Sequence, residues 1–146
     1  MKNFILTLFS LLILLFVAAC SSDEPSNPDE IHYGSPRDWT YSGQQVHFYI
    51  NDVEQTSVSE ITVSSIQYPS NILNQVFPFY DSTLKVKGLE GKNKVTSIQV
   101  KADTDRFEGT TTLDGVNYSV TGEFTGNPFE HHDTFGIIVR LDKVES

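Results

Sequence analysis

Glu130-His131-His132-Asp133 is the most chemically loaded run in the chain. Imidazole and carboxylate groups ligate metals and move protons, but adjacent histidines on a strand point to opposite faces. Only a loop would aim both at one ion, and His32 and His47 lie far away in sequence. The run therefore reads as a solvated loop between strands, with no metal expected. Asp103, Asp105 and Glu108 offer oxygen ligands at short spacing, as a calcium loop would, yet the glycine turn and twelve-residue layout of an EF-hand are missing. A polar hairpin turn is the simpler reading. Serine, histidine and aspartate all occur, but no serine sits in a Gly-x-Ser-x-Gly elbow, and the glycines fall singly at turns instead of forming a phosphate-binding loop. The 19 acidic residues could supply a carboxylate pair for glycoside hydrolysis, but a domain this small rarely builds the long cleft such enzymes use. Neither catalytic residues, nor a cofactor, nor an enzyme activity is expected.

Aromatic residues are the other chemical lead. Trp39, Tyr41 and Tyr49 fall near the start of the domain, and Tyr68, Phe77, Phe79 and Tyr80 surround an unusual segment. Aromatic faces stack on sugar rings and line apolar pockets, so Trp39, Tyr68, Phe77, Phe79 and Tyr80 are the candidate ligand-binding residues. Core packing is the competing role, and Phe48 and Phe135 are assigned to it.

The remaining reactive residue is Cys20, the sole cysteine. Ahead of it stand Lys2, an apolar run from Phe4 to Phe16, and the small residues Val17-Ala18-Ala19, the three parts of a secretory leader. The run is too short to span a bilayer, which needs about 20 residues. Val17-Ala18-Ala19-Cys20 resembles the lipobox of bacterial lipoproteins. That resemblance implies diacylglycerol on the Cys20 sulfur, cleavage before Cys20 and a further acyl chain on the new amino terminus. A thiolate is the side-chain nucleophile best suited to such alkylation, and two or three acyl chains hold a protein at a membrane durably. Residues 1–19 are then the leader. Ser21-Ser22-Asp23-Glu24 lacks an aspartate directly after Cys20, so it departs from the inner-membrane retention signal of enteric lipoproteins. Asp23-Glu24 is similar to the surface-export signal of Bacteroidota-type lipoproteins, which implies the outer membrane and its external face, with the periplasmic face as the alternative.

A lipidated Cys20 leaves no disulfide and no free thiol, so packing alone must stabilise the domain. Cleavage leaves about 127 of 146 residues, enough for one domain with a single core. Losing Lys2 takes the formal charge from −9 to −10. Such a balance repels phosphate backbones and anionic headgroups, so no nucleic acid is expected and membrane contact is assigned to the lipid anchor. Residues 20–36 are rich in Ser, Asp, Glu, Asn and Pro and read as a flexible tether. The folded domain is expected over residues 37–146.

Within it the apolar residues recur with a period of two. Val46, Phe48 and Ile50 alternate with Gln45, His47 and Tyr49, which marks a half-buried strand, and Asn51-Asp52 supplies a turn into Val53 to Ser65, so a hairpin is expected there. Leu84 and Val86, then Ile98, Val100 and Ala102, then Phe135, Ile137, Val139 and Leu141 give further inward rows. Asp114-Gly115 between Phe107–Leu113 and Val116–Phe124 is the strongest hairpin signal, because both positions of a type I′ turn need positive φ. Asn71 to Tyr80 is too apolar for an ordinary exposed loop; Ile72, Leu73 and Val76 are spaced for one helical turn, ended by Pro78, that would plug or cover one end of a barrel. Elsewhere no sustained helical period occurs. The fold class is all-β, about seven or eight antiparallel strands as a calycin-like barrel or a two-sheet sandwich.

A lipobox, an acidic tether and one β domain together resemble the small calycin-like lipoproteins of the Bacteroidota. The resemblance implies a barrel and assigns no functional residues. Three functions remain open: a non-catalytic binding or interaction module, contacting a protein or glycan through the loops around Tyr68 to Tyr80; a lipocalin-like carrier of a small apolar ligand; and an accessory subunit of an envelope complex.

Overall fold

Alternation at every second position decides which side chains turn inward, and seven of the strands are long enough for it to repeat. The computed structural model describes residues 32–67 and 80–145. Ten strands form: β1 His32–Tyr33, β2 Thr40–Ser42, β3 Val46–Ile50, β4 Val53–Glu54, β5 Glu60–Gln67, β6 Tyr80–Lys87, β7 Val95–Ala102, β8 Arg106–Leu113, β9 Val116–Thr125 and β10 Gly136–Lys143. Those of five residues or more match the strand number read from the sequence; β1, β2 and β4 are short additions. The helical turn expected between Asn71 and Pro78 lies outside the described residues.

All ten strands join one curled sheet in the order β1-β5-β6-β7-β8-β9-β10-β3-β4, with β2 also on β5. From β5 to β10 each strand pairs antiparallel with the next. Residues 40–50 bring the two ends together. β2 lies antiparallel on β5 (Tyr41 opposite Ile61), a 3-10 turn at Gly43–Gln45 redirects the chain, and β3 then runs parallel to β10 (Phe48 opposite Val139). The all-β fold is thus a single barrel-like sheet and not two stacked sheets. Two details depart from the expected pattern. The β3–β10 pair is parallel, and the hairpin after Asn51-Asp52 extends only over Val53 and Glu54 before the chain leaves to pair with β6.

The inward rows form one core. Tyr41, Phe48, Ile61, Leu84, Ile98, Phe107, Val120 and Ile137 are all buried, one from each of β2, β3 and β5 to β10. Outward positions on the same strands carry Lys85, Gln99, Lys101, Glu108, Thr121 and Arg140, all exposed. Burial of this apolar row, at about 25 cal/mol per Å2, is the driving force a disulfide-free domain must rely on. Residues 114 and 115 have φ of 48° and 78°, the left-handed pair a type I′ turn requires. Gly122 on β9 faces inward beneath the Phe107 ring, where a Cβ would overlap the aromatic carbons.

One seam is incomplete. β7 and β8 pair only through Val100–Gly109, Lys101–Glu108 and Ala102–Phe107, whereas β6–β7 and β8–β9 pair along eight residues each. Beyond Gly109 the two strands part.

Candidate functional site

The segment before β2 crosses the end of the barrel that carries the β7–β8 turn and the β9–β10 loop. Arg37, 2% exposed, fixes it there. Its Nε donates to the Thr104 carbonyl at 2.8 Å, Nη1 to the Thr125 carbonyl at 3.1 Å, and Nη2 to the Gly126 carbonyl at 2.9 Å and the Asp105 carboxylate at 3.3 Å. The guanidinium also lies over the rings of Phe135 (5.3 Å) and Phe124 (5.9 Å). A planar fork of five donors suits this arrangement, because loop carbonyls turned inward have no strand partner. Asp105 itself is 73% exposed, so the carbonyls, and not the ion pair, hold Arg37 in place.

Beside Arg37, Asp38 accepts the Ser65 backbone N–H at 3.1 Å and the Ser65 hydroxyl at 2.7 Å, and Ser65 meets the Ser82 hydroxyl at 2.8 Å. The Tyr41 hydroxyl donates to the Arg37 carbonyl at 2.9 Å. Burial pushes the Tyr41 phenol up to about 12, with Arg37 opposing and Asp38 adding to the rise. Burial, then Asp38, raises Tyr80 as well. Among the described hydrogen bonds no imidazole joins this serine and carboxylate. The cluster ties the segment before β2 to β5 and β6.

At this same loop end the aromatic candidates separate. Trp39 is 38% exposed, and its ring stands 4.2 Å from that of His132, which in turn lies 5.0 Å from Phe135. Tyr80 opens β6 on its inward face at 5% exposure, so its ring is turned away from solvent. Tyr68, Phe77, Phe79 and Cys20, the residue expected to carry lipid, lie outside the described residues. Phe129, which the sequence reading passed over, is 92% exposed on the β9–β10 loop. Asn127 builds its turn: the side-chain carbonyl accepts the Phe129 N–H at 3.0 Å, the side-chain amide reaches Glu130 at 3.3 Å, and the backbone carbonyl accepts the Glu130 N–H at 3.0 Å. The signal was an aromatic behind Asn127-Pro128, a turn that leaves the next side chain nowhere to pack.

The acidic and histidine runs take ordinary places. Asp103 accepts the backbone N–H groups of Asp105 and Arg106 at 2.7 and 2.6 Å, a side-chain-stabilised turn. His131 and His132 sit on the loop, both exposed. Among the described residues no group of three or more His, Cys, Asp or Glu side chains converges to hold a metal. Away from the loop end, a depression of about 650 Å3 crosses the outer faces of β6 to β9 where β7 and β8 part, lined among others by Asp81, Gln99, Lys101, Glu108 and Thr121. It opens to solvent and reaches the core side chains Val100 and Val120 between the parted strands.

The chain matches no protein-family model, no curated protein and no solved structure.

Proposed function

We propose that the chain is an outer-membrane lipoprotein, anchored through lipid on Cys20, whose barrel is a non-catalytic binding module that makes contact through its loop end. The observation that carries this reading is the division of the aromatic residues. Tyr41, Phe48, Phe107, Phe124 and Phe135 fill the barrel as part of one buried cluster, while Trp39 and Phe129 stay exposed at the end built from the loops. A carrier of an apolar ligand needs empty interior volume lined by such rings. An interaction module needs a packed interior and an exposed patch.

Protease treatment of intact cells, with membrane fractionation of wild type and Cys20→Ala, tests the placement. The wild type is expected in the membrane fraction and digestible from outside, and the variant released. A Cys20→Ala protein that stays with the membrane overturns the anchor. Stoichiometric displacement of a fluorescent fatty-acid probe from the barrel interior would replace the binding module with the carrier.

A further inference from the structure

The loop end is also where the chain enters the fold. β1 pairs His32 with Gln67 at the end of β5, and Arg37 binds the β7–β8 turn and the β9–β10 loop, so the polypeptide leading back to Cys20 departs from the β5 side of this same end. Eleven residues lie between Cys20 and His32. Even fully extended they reach about 40 Å. An anchor on Cys20 therefore keeps this end of the barrel within about 40 Å of the lipid, and contacts made by the loop end itself must set the orientation.

Two side chains on the near end are of the kind that prefers a membrane interface. Trp39 presents an amphipathic ring, and the Asn127 turn holds Phe129 outward at 92% exposure. Tryptophan settles at headgroup level and phenylalanine in the boundary with the acyl chains. The charges beside them decide which lipid. Asp105, Glu130 and Asp133 are exposed at this end and outnumber the exposed Arg106, so an anionic surface would repel it, leaving a zwitterionic one as the match.

Resting on the readings that Cys20 is lipidated and that the loop end is the contact face, we propose that what this face meets is the zwitterionic lipid surface bearing the anchor, with Phe129 and Trp39 entering the interface. The domain then stands on the membrane in one orientation. Its flank, with the depression across β6 to β9, and its far end remain open to solvent.

Trp39 is the only tryptophan in the chain, so its fluorescence reports this contact alone. The full lipidated protein is reconstituted into phosphatidylcholine vesicles with and without brominated acyl chains, beside lipidated Phe129→Ser and unlipidated Cys20→Ser. Flotation of the first two and not the third verifies the anchor. The expected result is a blue shift and a loss of Trp39 emission on brominated lipid, weakened by Phe129→Ser. Protein that floats while Trp39 stays unquenched by bromine and open to aqueous iodide overturns the seating and leaves the anchor intact. Wild type that fails to float overturns the anchor and the seating together. Equal quenching in wild type and Phe129→Ser removes Phe129 from the contact.

Discussion

The Tyr41 hydroxyl donates to the backbone carbonyl of Arg37 across 2.9 Å inside the closed end of the barrel, which ties the phenol's protonation to the segment that closes the fold. With burial raising the phenol to about 12, the neutral form is the one the fold accepts. Its contribution is complete below pH 10. It falls as pH rises from the unfolded value near 10 through the folded value, by about 2–3 kcal/mol in all. Urea unfolding from pH 7 to 11 should show about half of this loss in wild type and a shallower one in Tyr41→Phe, the remainder coming in part from Tyr80. At pH 7 the variant should be less stable by about 1 kcal/mol, because the Arg37 carbonyl loses its donor. Parallel pH curves for the two proteins would refute the assignment.

Arg37→Met should cost about 3–5 kcal/mol in urea unfolding, since it strands the Thr104, Thr125 and Gly126 carbonyls together. Arg37→Lys should recover little, because one ammonium cannot reproduce a planar fork. Asp105→Asn should change stability by less than about 1 kcal/mol, given its exposure. A large effect from Asp105 with a small one from Arg37→Met would reverse the order of importance argued above.

Gly122→Ala places a methyl against both the Phe107 ring and the Ile138 backbone carbonyl and should destabilise by about 1–3 kcal/mol through overpacking. Phe107→Leu clears part of that space. Combined, the two changes should cost less than the sum of the singles, and strict additivity in the double-mutant cycle would show that the overlap is relieved elsewhere.

Hydrogen exchange should find the seam. Amides of residues 95–99 and 110–113 that face the gap between β7 and β8 should exchange well before those paired between β8 and β9, which lie on the same sheet at similar depth. Uniform protection across both ladders would mean that the gap closes in solution.

Much of the fold was legible because its signals are local. The Asp114-Gly115 turn declares itself in two residues, and the rows Leu84–Val86, Ile98–Ala102 and Phe135–Leu141 alternate without interruption, so each strand could be assigned its inward face. What could not be read depends on partners distant in sequence. Asn51-Asp52 signals a turn but not that the hairpin ends at Glu54, because what draws the chain away is the β5–β6 ladder. Arg37 carries no periodicity and stands among turn-forming residues, so nothing local distinguishes a buried hub from a solvated cation. Its four partners lie more than 60 residues away. The Trp39–His132 stack has the same origin, whereas Phe129 was missed although its turn signal was present.

The parallel pairing of β3 with β10 bears on when the protein can fold. Val46 waits for Ile137, about ninety residues later, so a growing chain leaves the edge of β3 that faces β10 unmatched until Gly136–Lys143 has been made. Contacts this distant are slow to form, since the closure entropy of the intervening chain must be met before they contribute. Earlier hairpins such as β5–β6 can assemble alone, but the ring cannot lock without its last strand. The order of synthesis therefore keeps the chain unlocked, and threadable through a narrow channel, until β10 has emerged.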